Sequence, residues 1–190
     1  MYKMCKSEQS ALRQREMEQQ LLKMMETVRF EDISVSDLCT QAGFSRKAFY
    51  RYFSGKEGAL YALIDHTLWE LESFPFVGKE DGSANREKMI LFFRFWKNQK
   101  PLLDALDYSN LNGILVKRMV QHCASDISFM RNFLTCSDRE EQEYAITYSI
   151  SGIISVILRW HHNGYRQSPE QMVGMVLNLM ASSMIQFEGD

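Results

Sequence analysis

The chain has 190 residues, 45% hydrophobic and 24% charged, with a formal net charge of −2. These are the proportions of a soluble globular protein, they exclude a low-complexity chain, and at this length they allow one domain plus a small second one. A net charge so close to zero also means that any cationic patch is local and not a general trend.

Only three prolines and ten glycines interrupt the sequence, so an all-α chain of about nine helices is expected. Residues Met1 to Ser10 are polar and read either as a loose arm near phosphates or as a disordered terminus. No apolar leader precedes them, so no secretory signal is expected. Met17, Leu21, Met24 and Val28 recur on one face of a helix from about Ser10 to Val28.

The stretch Ser34 to Phe53 organises the chain. Ser34 and Asp37 form an S-x-x-D capping box for a short helix, Val35 to Gln41, whose Val35, Leu38 and Ala42 face inward. Gly43 tolerates the positive φ of a tight turn, and Ser45 caps a second helix, Arg46 to Phe53. On that helix Ala48, Phe49 and Phe53 share an apolar side, while Arg46, Lys47, Tyr50 and Arg51 project outward. From Phe44 to Lys56 there are four basic residues and no acidic one. A helix-turn-helix at 34–53 with such a patch is an electrostatic footprint for DNA phosphate; the plainer alternative is a helical hairpin with a solvated basic face.

The segments F-x-x-I-S-V-S-D-L, A-G-F-S-R-K-A-F-Y-R-Y-F and S-G-K-E-G-A-L-Y, within Phe30 to Leu63, resemble the DNA-binding head of the tetracycline-repressor (TetR) family of bacterial regulators. The resemblance implies a head at residues 1–65 and a helical ligand-binding and dimerisation domain at 66–190. By position it puts Arg46, Lys47 and Tyr50 at the groove, with Arg46 suited to a bidentate contact to guanine. Ser34, Ser36, Tyr52 and Lys56 match positions that touch phosphate, and Thr27 is a further phosphate candidate. Tyr50 has half-buried packing as its alternative, and Arg51, counted with the DNA-binding set, has a solvated charge as its own.

Beyond the head, Ser54 to Glu57 reads as a second capping box and opens a helix to about Phe74, carrying Leu60, Leu63, Ile64, Leu68 and Leu71. Lys56 in its first turn is a candidate to hold a phosphate together with the free amides. Phe74 to Ala84, with Pro75, Gly78 and Gly82, breaks the pattern. Further helices are expected over Asn85–Asn98 with Pro101 as its stop, Leu102–Tyr108 and Leu111 to about Leu134. A third box, Ser137 to Glu140, starts a long helix ending near Asn163-Gly164. That helix is apolar nearly all round, so its own domain covers one side and a partner subunit the other. Ser168-Pro169-Glu170-Gln171 opens the last helix.

The resemblance implies a homodimer built on these last two helices. Ile150, Ile153, Ile154, Ile157 and Trp160 of the first, and Val173, Val176, Leu177, Met180 and Met184 of the second, are the expected interface. Phe92, Phe93, Trp96, Tyr108, Phe129, Phe133, Tyr144 and Tyr148 are either core or the lining of an apolar effector pocket. The expected partners are double-stranded DNA with a pseudo-palindromic operator and a small-molecule effector. A partner sensor protein bound by the C-terminal domain, with activation in place of repression, is the alternative.

Other chemistries lack a pattern. The histidine sites His66, His122-Cys123 and His161-His162 have no metal-ligand spacing, so neither metal nor cofactor is expected. The motifs G-x-S-x-G, G-x-x-x-x-G-K-[ST], H-E-x-x-H and G-x-G-x-x-G do not occur, so no catalytic residue is assigned and an enzyme is not expected. Four scattered cysteines read as reduced packing residues of a cytoplasmic protein, and the most apolar run, Ile146 to Leu158, is shorter than the ~20 residues a membrane span needs.

Overall fold

Hydrogen-bonded caps set out the first helices. The structure, a computed structural model, describes residues 1–5, 7–73, 82–125 and 138–181, with the backbone alone at 82–85 and 181. Helix α1 (Glu8–Met25) begins at Ser7, whose hydroxyl accepts from the Ser10 amide, and buries Met17, Leu21, Met24 and Met25. Val28, expected on that face, lies beyond the helix end and is exposed. A 3-10 turn, Phe30–Asp32, leads into α2 (Val35–Ala42), where the Ser34 hydroxyl accepts from the Asp37 amide at 3.1 Å. Gly43, at φ +68°, then reverses the chain in the left-handed region, a conformation that any Cβ would strain. Ser45 caps α3 (Arg46–Tyr52), accepting from the Ala48 amide at 3.1 Å.

Helix α4 (Lys56–Ser73) packs against α1 and, further on, α7, so the boundary expected at 65/66 falls inside one continuous helix. The capping role expected of Ser54 is not what the structure shows. Its hydroxyl donates to the Met1 carbonyl at 2.8 Å and accepts from the Met1 amine at 2.9 Å. The first residues are therefore docked and not a loose arm. Tyr2 forms an antiparallel bridge with Phe53, and the Lys3 amide donates to the Tyr52 carbonyl at 2.9 Å. Gly58 makes this approach possible, because a Cβ there would stand 2.5 Å from the Met1 carbonyl oxygen.

The second group comprises α5 (Gly82–Asn98), α6 (Lys100–Tyr108), α7 (Asn112–Ser125), α8 (Arg139–His162) and α9 (Pro169–Ala181). With α1–α4, the described residues hold nine α-helices and no strand. Pro101 sits in the first turn of α6, where its missing N–H costs nothing. The helix expected to reach Leu134 is described only to Ser125. The cap of α8 is Asp138, whose carboxylate accepts from the Glu140 and Glu141 amides at 2.9 and 3.1 Å; Ser137 lies outside the described residues. The last helix begins as expected: the Ser168 hydroxyl accepts from the Gln171 amide at 3.2 Å, and Gln171 Oε1 accepts from the Ser168 amide at 2.7 Å.

Helix α8 lies mainly on α7, with α5 and α6 also against it, while α9 covers α5. This placement divides the residues expected at the dimer interface. Ile150, Ile154, Ile157, Trp160, Val173 and Val176 are buried within the chain itself. Ile153 is half-buried, Leu177 and Met180 are exposed, and Met184 lies outside the described residues. The other face of α8 is the open one, with Tyr144, Tyr148, Gly152 and Ser155 exposed.

Candidate nucleic-acid interface

Helix α3 is fixed from beneath by its aromatics. Phe49 is buried and its ring lies 5.0 Å from that of Phe53. Held in this way, α3 presents Arg46, Lys47, Tyr50 and Arg51 to solvent. Tyr50 rests one edge on Phe49 at 5.5 Å and remains 47% exposed. None of Arg46, Lys47 and Arg51 makes an ion pair among the described residues, whereas Arg15, Arg29, Arg94, Lys100, Arg118 and Arg139 all do. Three uncompensated cations on one short exposed helix leave a positive field that only an external anion neutralises.

The expected phosphate contacts divide. Thr27, Ser34 and Ser36 are exposed around the entry to α2. The Ser34 hydroxyl donates to Asp37 Oδ2 at 2.5 Å and so is engaged inside the protein. Lys56 is a correction. Its ammonium donates to the carbonyls of Phe30, Glu31 and Ile33 at 2.8, 2.7 and 2.8 Å and lies 4.9 Å from the Phe30 ring centroid. All three of its protons are engaged in closing the 3-10 turn, so Lys56 is a structural clamp and not a phosphate ligand. Tyr52 is likewise a core residue, buried beside Phe53.

A buried polar cluster behind the head has no counterpart in the sequence expectations. Asp65, on α4, accepts from the Tyr2 hydroxyl at 2.8 Å and from Arg118 Nε at 2.7 Å, with a further bond from Arg118 Nη2. Burial and the bond to Asp65 push the Tyr2 phenol well up from its ordinary value. The next residue of α4, His66, meets fully buried Glu18 of α1 through Nδ1 at 2.7 Å, with Arg15 3.7 Å from the same carboxylate. Burial raises the Glu18 carboxyl above the usual range, and the bond and charge of His66 oppose that rise. The one signal in the sequence was Gly58 inside a helix, which marks a close approach but not by what.

The residues expected to line an effector pocket do not converge. Phe92, Phe93 and Trp96 are packed in the core, with Phe93 5.6 Å from Trp160 and 6.0 Å from Phe92. Tyr108 is 48% exposed under Arg29, and Tyr144 and Tyr148 are 70% and 85% exposed on the open face of α8. Phe129 and Phe133 lie outside the described residues. Among the described residues, no three His, Cys, Asp or Glu side chains are grouped to hold a metal ion, and no helix is long and apolar enough to cross a membrane.

Two family models match. One, described as bacterial regulatory proteins of the tetR family, covers residues 22–63, and the other, described as a transcriptional regulator C-terminal region, covers residues 89–182. The regulator EthR of Mycolicibacterium smegmatis is 45% identical over 51 residues, 27% of this chain and 24% of that one. EthR of Mycobacterium tuberculosis is 34% identical over 67 residues, 35% of this chain and 31% of its own. The chain thus aligns with a quarter to a third of the length of these relatives. A TetR-family regulator from Syntrophomonas wolfei shares the fold at a TM-score of 0.64 and 13% identity, over 93% of this chain and 99% of that one. The dihydroxyacetone kinase operon activator DhaS shares it at 0.59 and 17% identity, over 90% and 95%. With one match on the head that carries α3 and the other on the helices behind it, the chain belongs to the TetR family of bacterial transcriptional regulators.

Proposed function

We propose that this chain acts as a homodimer that occupies a pseudo-palindromic operator, with α3 of each subunit in the major groove, and represses until a small molecule releases it. The observation that carries the reading is the set of unpaired cations Arg46, Lys47 and Arg51 on a helix anchored by Phe49. Arg46 reads a guanine edge, Lys47 and Tyr50 face the groove beside it, and Ser36 and Thr27 reach phosphates. Two heads related by a two-fold axis read half-sites about one turn apart, ~34–36 Å.

The dimer face in this reading is the open side of α8 with that of α9. Tyr144, Tyr148, Gly152 and Ser155 recur at helical spacing on one side of α8, and Met175 and Leu179 on α9. A Cβ added at Gly152 would meet nothing within 4 Å among the described residues, so a partner helix has room to come close there.

The test is selection of bound duplexes from random sequence, followed by anisotropy titrations at several salt concentrations. A palindromic product and a steep fall of affinity with salt support the reading; a protein that binds no duplex at low salt sinks it. The same apolar face carries a second reading, in which a sensor protein docks there and the chain activates; the name of DhaS calls that protein an operon activator. Sedimentation separates them: a chain that stays a single subunit at micromolar concentration favours the partner.

A further inference from the structure

An open cleft of about 440 Å³ lies where the head meets the second group of helices. Tyr61 of α4 forms one wall, and Leu111 with Ile114, Lys117, Arg118 and Gln121 of α7 forms the other. No carboxylate lines it. Lys117 is exposed and makes no ion pair among the described residues. Arg118 gives its Nε and Nη2 to Asp65, while Nη1 reaches only Gln121 Oε1 at 3.4 Å and is the donor left over. Asn110, at φ +56°, Gly113 and Ile114 place the cleft over the first turn of α7, a 14-residue helix whose start carries the positive end of its dipole. Leu111, Ile114 and the face of Tyr61 supply the apolar remainder. The volume falls at the small end of ligand pockets, ~300–1,000 Å³.

We infer that this cleft binds a small organic acid, its carboxylate held by Lys117 and Arg118 Nη1 and its alkyl or aryl part lying on Leu111 and Ile114. This deepens the effector reading given above and rests on it. Of the expected pocket aromatics, Phe92, Phe93 and Trp96 are filled core and Tyr108, Tyr144 and Tyr148 are exposed, whereas this cleft touches α4, the element that carries the head. A carboxylate on Arg118 Nη1 shares with Asp65 the charge of one guanidinium, whose Nε and Nη2 Asp65 holds. Asp65 in turn holds the Tyr2 hydroxyl, and the backbone of Tyr2 is bridged to Phe53 at the end of α3. Occupancy of the cleft therefore changes the contacts that fix α3 through a chain of direct bonds, in the sense that differential affinity for two arrangements requires.

The experiment titrates the full chain with sodium octanoate and sodium 3-phenylpropionate, and with 1-octanol and 3-phenylpropan-1-ol as neutral counterparts. Calorimetry and the Ile114 methyl resonance are the readouts. The acids bind and move Ile114, the alcohols bind at least tenfold more weakly, and Lys117→Glu weakens the acids by tenfold or more while its melting temperature is unchanged. Operator affinity shifts several-fold in the presence of a saturating acid and does not shift in Lys117→Glu. Acids that leave Ile114 unmoved, or that bind Lys117→Glu as well as the natural protein, overturn the inference. Operator affinity without any acid is measured on the same sample. If that binding is absent, the DNA reading falls; if it is present while the acids fail, the cleft alone falls.

Discussion

The head and the helices behind it obey different kinds of rule. In the helix-turn-helix of the head, α2 and α3 are closed by neighbours in sequence: Ser34 on Asp37, Ser45 on Ala48, Gly43 in the left-handed region. Behind it, the decisive fact about α8 is which of its apolar sides meets α7 and which is exposed among the described residues. Local chemistry fixes the first kind of element, and only three-dimensional packing fixes the second.

The largest effect that sharpens this contrast is at Trp160. It is 2% exposed, stacks edge-on against Phe93 at 5.6 Å and Tyr165 at 4.8 Å, and donates its indole N–H to the Gln167 carbonyl at 3.1 Å. Trp160→Ala is expected to cost about 3–5 kcal/mol of folding stability, read by urea denaturation. Tyr148→Glu, on the open side of the same helix, is expected to leave the subunit folded and to weaken dimerisation by roughly a hundredfold, since an unpaired charge in an interface costs several kcal/mol. Sedimentation reads that change. If Trp160→Ala instead yielded folded single subunits, the assignment of the two faces would be reversed.

A smaller pair separates two basic residues that sequence alone treats alike. Arg46→Ala is expected to weaken operator binding by about 1–3 kcal/mol and to relax preference at one base, without moving the melting temperature. Lys56→Ala is expected to behave the opposite way. It strips the carbonyls of Phe30, Glu31 and Ile33 of their donor, lowering stability by about 1–3 kcal/mol, and leaves the salt slope of DNA binding unchanged. A Lys56→Ala protein with native melting and a shallower salt slope would restore Lys56 to the phosphate set.

What was legible follows the same division. The helix-turn-helix, its caps and the outward set on α3 were readable because a cap, its acceptor and a left-handed glycine sit within a few residues of one another. The Ser168 box was readable for that reason too. Which side of α8 the chain covers was not readable, because it carries Ile150, Ile154 and Ile157 on one side and Tyr144 and Tyr148 on another, and periodicity cannot choose between two apolar sides. Lys56 was misread because its three acceptors are backbone oxygens some 25 residues earlier, invisible in any side-chain pattern. Tyr2, Asp65 and Arg118 come from three distant stretches, so nothing in the sequence brings them together.

The smallest effect concerns the other long-range polar contact, Glu18 with His66, and it tests whether the head's core is electrostatically neutral or tuned. Burial raises the folded-state carboxyl of Glu18 above its ordinary 4.5. The folded chain therefore holds the proton more tightly than the unfolded chain between 4.5 and the raised value. Where the native state binds more protons, stability falls as pH rises. Glu18 thus contributes most favourably below about 4.5, where it is protonated in both states, and that contribution is lost as pH climbs through the window above. The stability of the natural protein minus that of Glu18→Gln should accordingly decline from pH 4.5 upward, by less than about 1.4 kcal/mol per pH unit, in urea titrations at matched ionic strength. A difference that grows with pH would mean that the charged pair with His66 outweighs burial, and that Glu18 ties α1 to α4 as an ion pair and not at a cost.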